Sequence, residues 1–516
     1  STVEIIKDLV PEASVSLSSM VCPEIREYER LSTTSANAYI KPLMEEYLES
    51  LELQLRSRGV ICPLLLMTSG GGLTTLDTAK IYPIRLVESG PAGGAILAEQ
   101  LSKELNEPSL VSFDMGGTTA KICLIDQGSA NHSRSFEVDR AYRFKKGSGL
   151  PLRIPVIEMV EIGAGGGSMS RVDQMKRIQV GPQSAGSDPG PVCYGRGGEE
   201  STVSDADAVM GKLYPKFFAG GDLTLDVDAA KFAIEEQIGT PLGLDVFAAA
   251  NSVAEVVDEN MAAAAKAHSS EWGKTMDARA LVAFGGAAPL HAANLAKKLK
   301  ISRLYIPQGA GVGSALGFLL APARFEVVRS FFSSLTALNV DTVTSLIEEM
   351  RNEATGVVSQ MSSGPLEEKI RAYMRYQGQG HEVSVLIDQV EIIDARYLRQ
   401  RFESAYRDTY GRVLEEVEAE ILSWTLSLEG AAQGGEWFEF TKNSEIAEAQ
   451  IGESRVYMSD AELKIPVLWR EALVEGQEYF GPLLITENQT TTVVPKRSSV
   501  SISHRGVLRI TLGLQS

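Results

Sequence analysis

The sequence is poor in the residues that build metal clusters and disulfide frameworks. Its 516 residues hold four cysteines and five histidines. Cys22, Cys62, Cys123 and Cys193 stand far apart with no CxxC spacing, which excludes a thiolate zinc cluster or a secreted disulfide scaffold as the organising device. Reduced thiols are expected. No apolar run is long enough to cross a bilayer, and no signal-like leader is read at Ser1, so the expectation is a soluble, cytoplasmic protein with no membrane association. Basic charge is also in short supply. Lys and Arg number 49 against 67 Asp and Glu, a net charge of -18, and phosphate backbones are held by clustered cations, so nucleic acid is not an expected partner. Internal repeats and low-complexity tracts are absent.

Glycine, by contrast, is plentiful at 47 residues, and the informative glycines sit at the ends of apolar runs. Residues 114–121 (DMGGTTAK) lie between the apolar runs 110–113 and 122–125. Two buried strands joined by a Gly-Gly-Thr-Thr tip turn tightly and offer backbone N–H groups and hydroxyls to an anion. The pattern predicts a nucleotide-phosphate hairpin with Gly116, Gly117, Thr118 and Thr119 at its tip; the plainer alternative is an ordinary hairpin with polar residues there. Asp114, at the end of the first strand, suits a magnesium ion, directly or through water. Lys121 either approaches phosphate as a point charge or pairs with a nearby carboxylate. The run 281–284 leads through Gly285 and Gly286 into a helical pattern at 291–299. That turn either lets an adenosine approach the backbone or is a tight strand-to-helix connection.

Other residues carry balanced expectations. The segment 163–168 (GAGGGS) is an anion-cradling nest, a lid, or a close crossing of backbones. Asp188 is a candidate substrate or metal contact. Cys193 reads as an inert thiol, since no activating base is legible beside it. Asp205 and Asp207 precede a helical stretch, where carboxylates cap N–H groups as readily as they bind magnesium. His291 and His381 are candidate general bases, against the commoner role of hydrogen-bonded structural histidines.

Strands alternate with helical patterns over the first 330 residues, which indicates α/β layering with parallel pairing. Helices are predicted at 33–58, with Ser32, Thr33 or Thr34 as caps, and at 95–105, and a short strand at 61–67 leads into the turn 69–72. Residues 147–200 are dense in Gly, Pro and Ser and read as functional loop. Beyond residue 330, helical patterns at 340–360 and 394–410 surround a strand-like stretch at 372–387, and the tail 455–510 alternates like a small β-rich module. The expected domains are 1–108, 109–330, 331–450 and 451–516.

Nine segments in order, PEIREYERLSTTSANAY (23–39), SGGG (69–72), ESGPAGGA (88–95), FDMGGTTAK (113–121), EIGAGGGS (161–168), VGPQSAGSDPGPVCYGRGG (180–198), VSDADAVMGKL (203–213), AFGGAAPLHAANLA (283–296) and YQGQGHEVSV (376–385), resemble the hydantoinase A, 5-oxoprolinase and ATP-dependent ketone (acetone, acetophenone) carboxylase family. The resemblance covers nearly the whole chain. It implies an α/β, actin-like (ribonuclease H-like) ATPase core with an α+β C-terminal region. It also implies ATP with Mg2+, or another divalent metal, at Asp114, Gly116, Gly117, Thr118, Thr119, Gly285 and Gly286, to which the residues themselves add Lys121 as a phosphate contact and His291, beside Asp114, as a catalytic candidate. Family members activate an unreactive amide or ketone oxygen with ATP, after which water or a carboxylating species attacks. The implied substrate is a cyclic amide or a ketone, and the implied partner is a subunit of hydantoinase B type within a homo- or hetero-oligomer. Cyclic-amide hydrolysis is the first expectation, ketone carboxylation the second, and a non-catalytic assembly subunit the third.

Three features depart from the family pattern. That pattern opens with a further Asp-Gly-Gly-Thr loop and about one more half-domain, so the resemblance implies a chain lacking its first phosphate-loop half, as a fragment or as a subunit completed by another chain. Many relatives also carry an Asp-x-His pair just before the Gly-rich loop, where this sequence has residues 157–161 (IEMVE). No metal ligand is carried over to Val160, and Glu158 and Glu161 read more readily as anchors for the loop. Lys121, at a point where many relatives are acidic, leans with that segment towards the carboxylase reading.

Overall fold

The computed structural model describes residues 2–141, 147–388, 393–432, 448–458, 461–503 and 505–513. Residues 433–447, inside the expected third domain, lie outside this set. The described chain divides into two compact units, each assembled from three stretches of sequence: one from Ser1–Ala92, His132–Ile157 and Phe318–Gly435, the other from Gly93–Asn131, Glu158–Gly317 and Glu436–Ser516.

The first unit is built on a six-stranded sheet in the order Leu65–Met67, Leu73–Thr75, Pro322–Ser334, Ala419–Ala432, Leu366–Tyr376, Val383–Ile387. The helix Val340–Val358 buries Val343, Ile347, Met350, Ala354 and Val358, a three-and-four spacing that lines up one apolar face. These side chains join Trp424, Tyr376 and Phe402 in one core. The helix predicted at 33–58 runs over Glu27–Ser57. Thr33 and Thr34 do not cap it; their hydroxyls bond back to the carbonyls of Glu29 and Arg30 at 2.7 Å each, a local geometry open to Ser and Thr inside a helix.

The second unit holds a nine-stranded sheet whose main path is Met159–Ile162, Ala120–Asp126, Ser109–Met115, Ala280–Phe284, Arg303–Ile306, Leu508–Thr511, Ser499–Ile502, Glu478–Phe480. Its centre is parallel: Ala280–Phe284 pairs in parallel with both Ser109–Met115 and Arg303–Ile306. Every residue of Ala280–Phe284 is buried, as expected for a strand covered on both faces, whose sequence is an unbroken apolar run. The β-rich tail 451–516 supplies Glu478–Phe480, Ser499–Ile502 and Leu508–Thr511 to this sheet, while Gln450–Met458, Ala461–Trp469, Leu483–Thr486 and Thr491–Val494 form a separate four-stranded sheet. Residues 147–200, read as loop, contain the strands Met159–Ile162, Ser168–Val172 and Ile178–Ser184. These strands are short, and the Gly-, Pro- and Ser-rich segments between them break up the periodicity that would have announced them.

Candidate functional site

The hairpin forms as its apolar flanks dictate. Ser109–Met115 and Ala120–Asp126 pair antiparallel, with Asp114 opposite Lys121 and Met115 opposite Ala120, and Gly116 N–H donates to the Thr119 carbonyl at 3.1 Å. Gly117 and Thr118 are exposed at the tip. A Cβ added at Gly116 or Gly117 would meet nothing within 4 Å, so the space over this turn is open.

Parallel pairing brings the second glycine turn to the same end of the sheet. Phe284 lies opposite Asp114, so the next residue, Gly285, arrives beside the hairpin. Gly285 has φ +96°, and a Cβ there would sit 2.4 Å from the Met115 carbonyl and 2.6 Å from Asp114 Oδ1. Only glycine fits both the left-handed backbone and the contact. Ala287 N–H donates to the Met115 carbonyl at 3.0 Å and Gly285 N–H to Ala310 at 2.7 Å. Burial raises the Asp114 pKa, while a hydrogen bond from Ser314 and the charge of Lys121 lower it in part. Ser314 Oγ donates to Asp114 Oδ2 at 2.7 Å.

The segment 163–168 is a close crossing of backbones. Gly166 and Gly167 N–H groups donate to the Gly116 and Gly117 carbonyls at 3.0 and 2.6 Å, and a Cβ at Gly165 would lie 2.7 Å from Gly117. The loop therefore props the hairpin tip from behind. Lys121 contacts Thr119 Oγ1 at 2.7 Å and Glu161 at 3.2 Å, its partner across the strand pair.

Beside Gly286 lies an open cavity of about 570 Å³ whose walls include Phe217, Phe218, Asn488, Gln489 and Thr490. Thr490 Oγ1 donates to the Gly286 carbonyl at 2.9 Å, and Phe217 rests on Trp469 with centroids 5.2 Å apart. An aromatic wall opposite hydrogen-bonding edges is the make-up of a site for a flat heterocycle.

His291 is fully buried, and both ring nitrogens are occupied: Nδ1 by Asp258 at 2.8 Å and Nε2 by Asp207 at 3.0 Å. Lys212 holds the other Asp207 oxygen at 2.8 Å, and Asn294 donates to Asp258 at 3.2 Å. Burial works against an imidazolium, but the two carboxylates outweigh it and raise the His291 pKa to about 9. Burial likewise opposes the Asp207 charge, and His291 and Lys212 overcome it, so that carboxyl lies below its usual range. Three helices, Val203–Val209, Val246–Glu271 and Ala288–Lys298, are tied by these bonds.

Asp205 closes a capping box with Thr202 and also accepts from the N–H groups of Val192 and Cys193. Cys193 is buried, and that burial, with Asp205 beside it, pushes its thiol pKa up. Asp188 and His381 are exposed. Among the described residues no group of three or more His, Cys, Asp and Glu forms a cluster that could hold a metal ion by itself. A magnesium ion here fits as one bound through a single carboxylate, phosphate oxygens and water, an ordinary arrangement for that ion.

Sequence reasoning missed Ser314, the Asp258 partner of His291, the Lys212 partner of Asp207 and the Phe217–Gln489 cavity. A signal existed for the first: Arg303–Ile306 followed by PQGAGVGS repeats the strand, glycine turn and helix order of 281–291.

A parallel-centred sheet carrying a Gly-Gly-Thr-Thr hairpin and a Gly-Gly turn at one end belongs to the actin-like ATPase fold. More particularly, the chain belongs to the Hydantoinase/oxoprolinase family: residues 30–327 match that family and residues 339–510 its C-terminal domain. It is 33% identical to an uncharacterised protein of Methanocaldococcus jannaschii, over 98% of this chain and 74% of that one. It is 28% identical to the acetophenone carboxylase gamma subunit of Aromatoleum aromaticum, over 96% of this chain and 68% of the relative. The crystal structure of ATP-dependent caprolactamase from Pseudomonas jessenii superposes with a TM-score of 0.81 at 27% identity, covering 99% of this chain and 74% of that chain.

Proposed function

We propose that this chain is the ATP-using subunit of an enzyme that phosphorylates the carbonyl oxygen of a cyclic amide so that water can open the ring. The observation that carries the reading is the meeting of Asp114, the Gly116–Thr119 tip and the Gly285–Gly286 turn at one end of a parallel-centred sheet. Similarity to a caprolactamase supports the substrate class. In the overall reaction ATP, lactam and water give ADP, phosphate and an amino carboxylate.

The exposed Gly117 and Thr118 bind phosphate oxygens through N–H and hydroxyl groups, with Thr119 steadied by Lys121. Asp114 holds Mg2+, directly or through water, and Ser314 fixes the carboxylate's orientation. When bound, Mg2+ neutralises phosphate charge during transfer. The Gly286 turn and the Phe217–Gln489 cavity receive the adenosine. His291, with both nitrogens engaged, acts as a positioning residue that anchors the helix following that turn. A partner subunit of hydantoinase B type completes the enzyme.

A second reading, a subunit of an ATP-dependent ketone carboxylase, draws support from the Lys121–Glu161 pair, the histidine-free segment 157–161 and the acetophenone carboxylase relative. The test supplies the assembled complex with ATP and either a lactam or hydantoin alone, or a methyl ketone with bicarbonate, and follows ADP release. Lactam-dependent release without bicarbonate supports hydrolysis; strict bicarbonate dependence overturns it in favour of carboxylation. Asp114→Ala abolishes release in either case, and unchanged release would mean that the hairpin is not catalytic.

A further inference from the structure

The SGGG segment, residues 69–72, takes no part in the site above and sits in the first unit. It borders a narrow, partly enclosed cavity, with Thr74, Tyr82, Arg85, Arg324 and Phe325 among its walls. The glycines serve close packing. A Cβ on Gly72 would lie 2.3 Å from Arg324 Cβ, and one on Gly70 would lie 3.3 Å from Pro155 Cβ. Leu73 pairs in parallel register with Ala323, which delivers Arg324 to the cavity rim.

Among the described residues, two guanidinium groups are oriented here without a carboxylate within ion-pair distance. Arg85 rests over the rings of Tyr82 and Phe325, 4.9 and 5.0 Å from their centroids, and donates to the Glu326 carbonyl at 3.2 Å. Arg324 donates to Ser427 Oγ at 3.1 Å and the Gly70 carbonyl at 3.3 Å. The Glu326 carboxylate, the nearest candidate partner, is engaged by Arg134, which Glu24 also holds. Among the described residues neither Arg85 nor Arg324 forms an ion pair with a carboxylate. Thr74, only 3% exposed, lines the same cavity, and among the described residues its hydroxyl has no hydrogen-bond partner. A buried hydroxyl and two partly buried cations left unmatched are costly unless something completes them.

We propose that this cavity is a binding site for a small planar monoanion, the carboxylate of a short organic acid or bicarbonate. Guanidinium forks match a planar three-atom oxyanion, Thr74 supplies a further donor, and the apolar walls of Ala79, Leu86 and Phe325 favour a compact, singly charged ligand over a dianion. The site lies wholly within the first unit and needs no nucleotide, so its failure would leave the proposed ATP chemistry untouched.

The experiment titrates the full chain, without ATP, with acetate, bicarbonate or inorganic phosphate at matched ionic strength, reading melting temperature and calorimetric binding. Saturable binding of acetate or bicarbonate is expected, with bicarbonate alone identifying the inorganic ion and acetate the organic carboxylate. Arg324→Gln weakens that binding about tenfold or more. Thr74→Val, close in shape, weakens it while raising the melting temperature of the ligand-free chain, because an unmatched buried hydroxyl is removed. Absence of saturable monoanion binding, binding of phosphate only, or binding unchanged in both variants would overturn the proposal.

Discussion

Asp114 is held between opposing influences. Burial favours its neutral form, and the Ser314 hydroxyl favours the charge. A raised folded-state carboxyl pKa means that ionisation costs stability as pH rises through it, a cost compatible with a residue kept for its chemistry. Removing the Ser314 donor leaves burial less opposed and moves the Asp114 pKa further up. Ser314→Ala is therefore expected to shift the acidic limb of the ATPase pH profile to higher pH, with activity largely recovered on the alkaline side; a profile displaced downward at every pH without a shifted limb would contradict the assignment. The hairpin residues were legible because they are contiguous in sequence. Ser314 lies 200 residues from Asp114; the strand, glycine turn and helix order around it is readable, but nothing local pairs it with that aspartate.

At the scale of elements, the helix Ala288–Lys298 is fixed by an ionised network instead of by apolar packing alone. The His291 pKa stands at about 9, above its ordinary 6.5, so its contribution is fully present below 6.5 and is lost as pH rises through 9. The depressed Asp207 carboxyl contributes the opposite limb, present above its ordinary value and lost well into acid. Thermal melting should hold steady below about pH 6.5 and fall between about pH 6.5 and 9. His291→Gln is expected to cost about 3 kcal/mol at pH 7, as breaking a buried pair does, and to flatten that alkaline fall. An alkaline fall of equal size in the variant would count against the network. The sequence pointed to His291 as a candidate base, and to Asp207 as a cap or metal contact, because residue type was legible and pairing was not. Three helices had to pack before Asp207 and Asp258 met the two ring nitrogens.

For the whole molecule, the decisive feature is that each compact unit is assembled from separated stretches of chain. The tail reads as a self-contained β module, yet Leu508–Thr511 pairs directly with Arg303–Ile306 and extends the sheet that carries the hairpin. Arg470 in the same region is buried, bonding Glu487 at 2.6 Å and the Ile306 carbonyl at 2.8 Å. Truncation after residue 447 is expected to expose a sheet edge and produce aggregated protein with no cooperative melting transition; a soluble truncated chain with a sharp transition would mean that the tail is dispensable. Among the described residues no helix is long and apolar enough to cross a membrane.

By itself the sequence determined what is local: the apolar runs that become strands, the glycines that end them, the Gly-Gly-Thr-Thr tip, and the ordered motifs of the Hydantoinase/oxoprolinase family. Hydrophobic periodicity and turn chemistry act over a few residues, so they can be read without a structure. Tertiary structure alone decided which turns share an edge, that Gly285 must be glycine because Met115 and Asp114 crowd it, that His291 is enclosed by carboxylates, and that Arg85 and Arg324 face one cavity. Those outcomes depend on strand register and helix packing across hundreds of residues, where chain connectivity carries no signal and only the closing of the core brings the partners together.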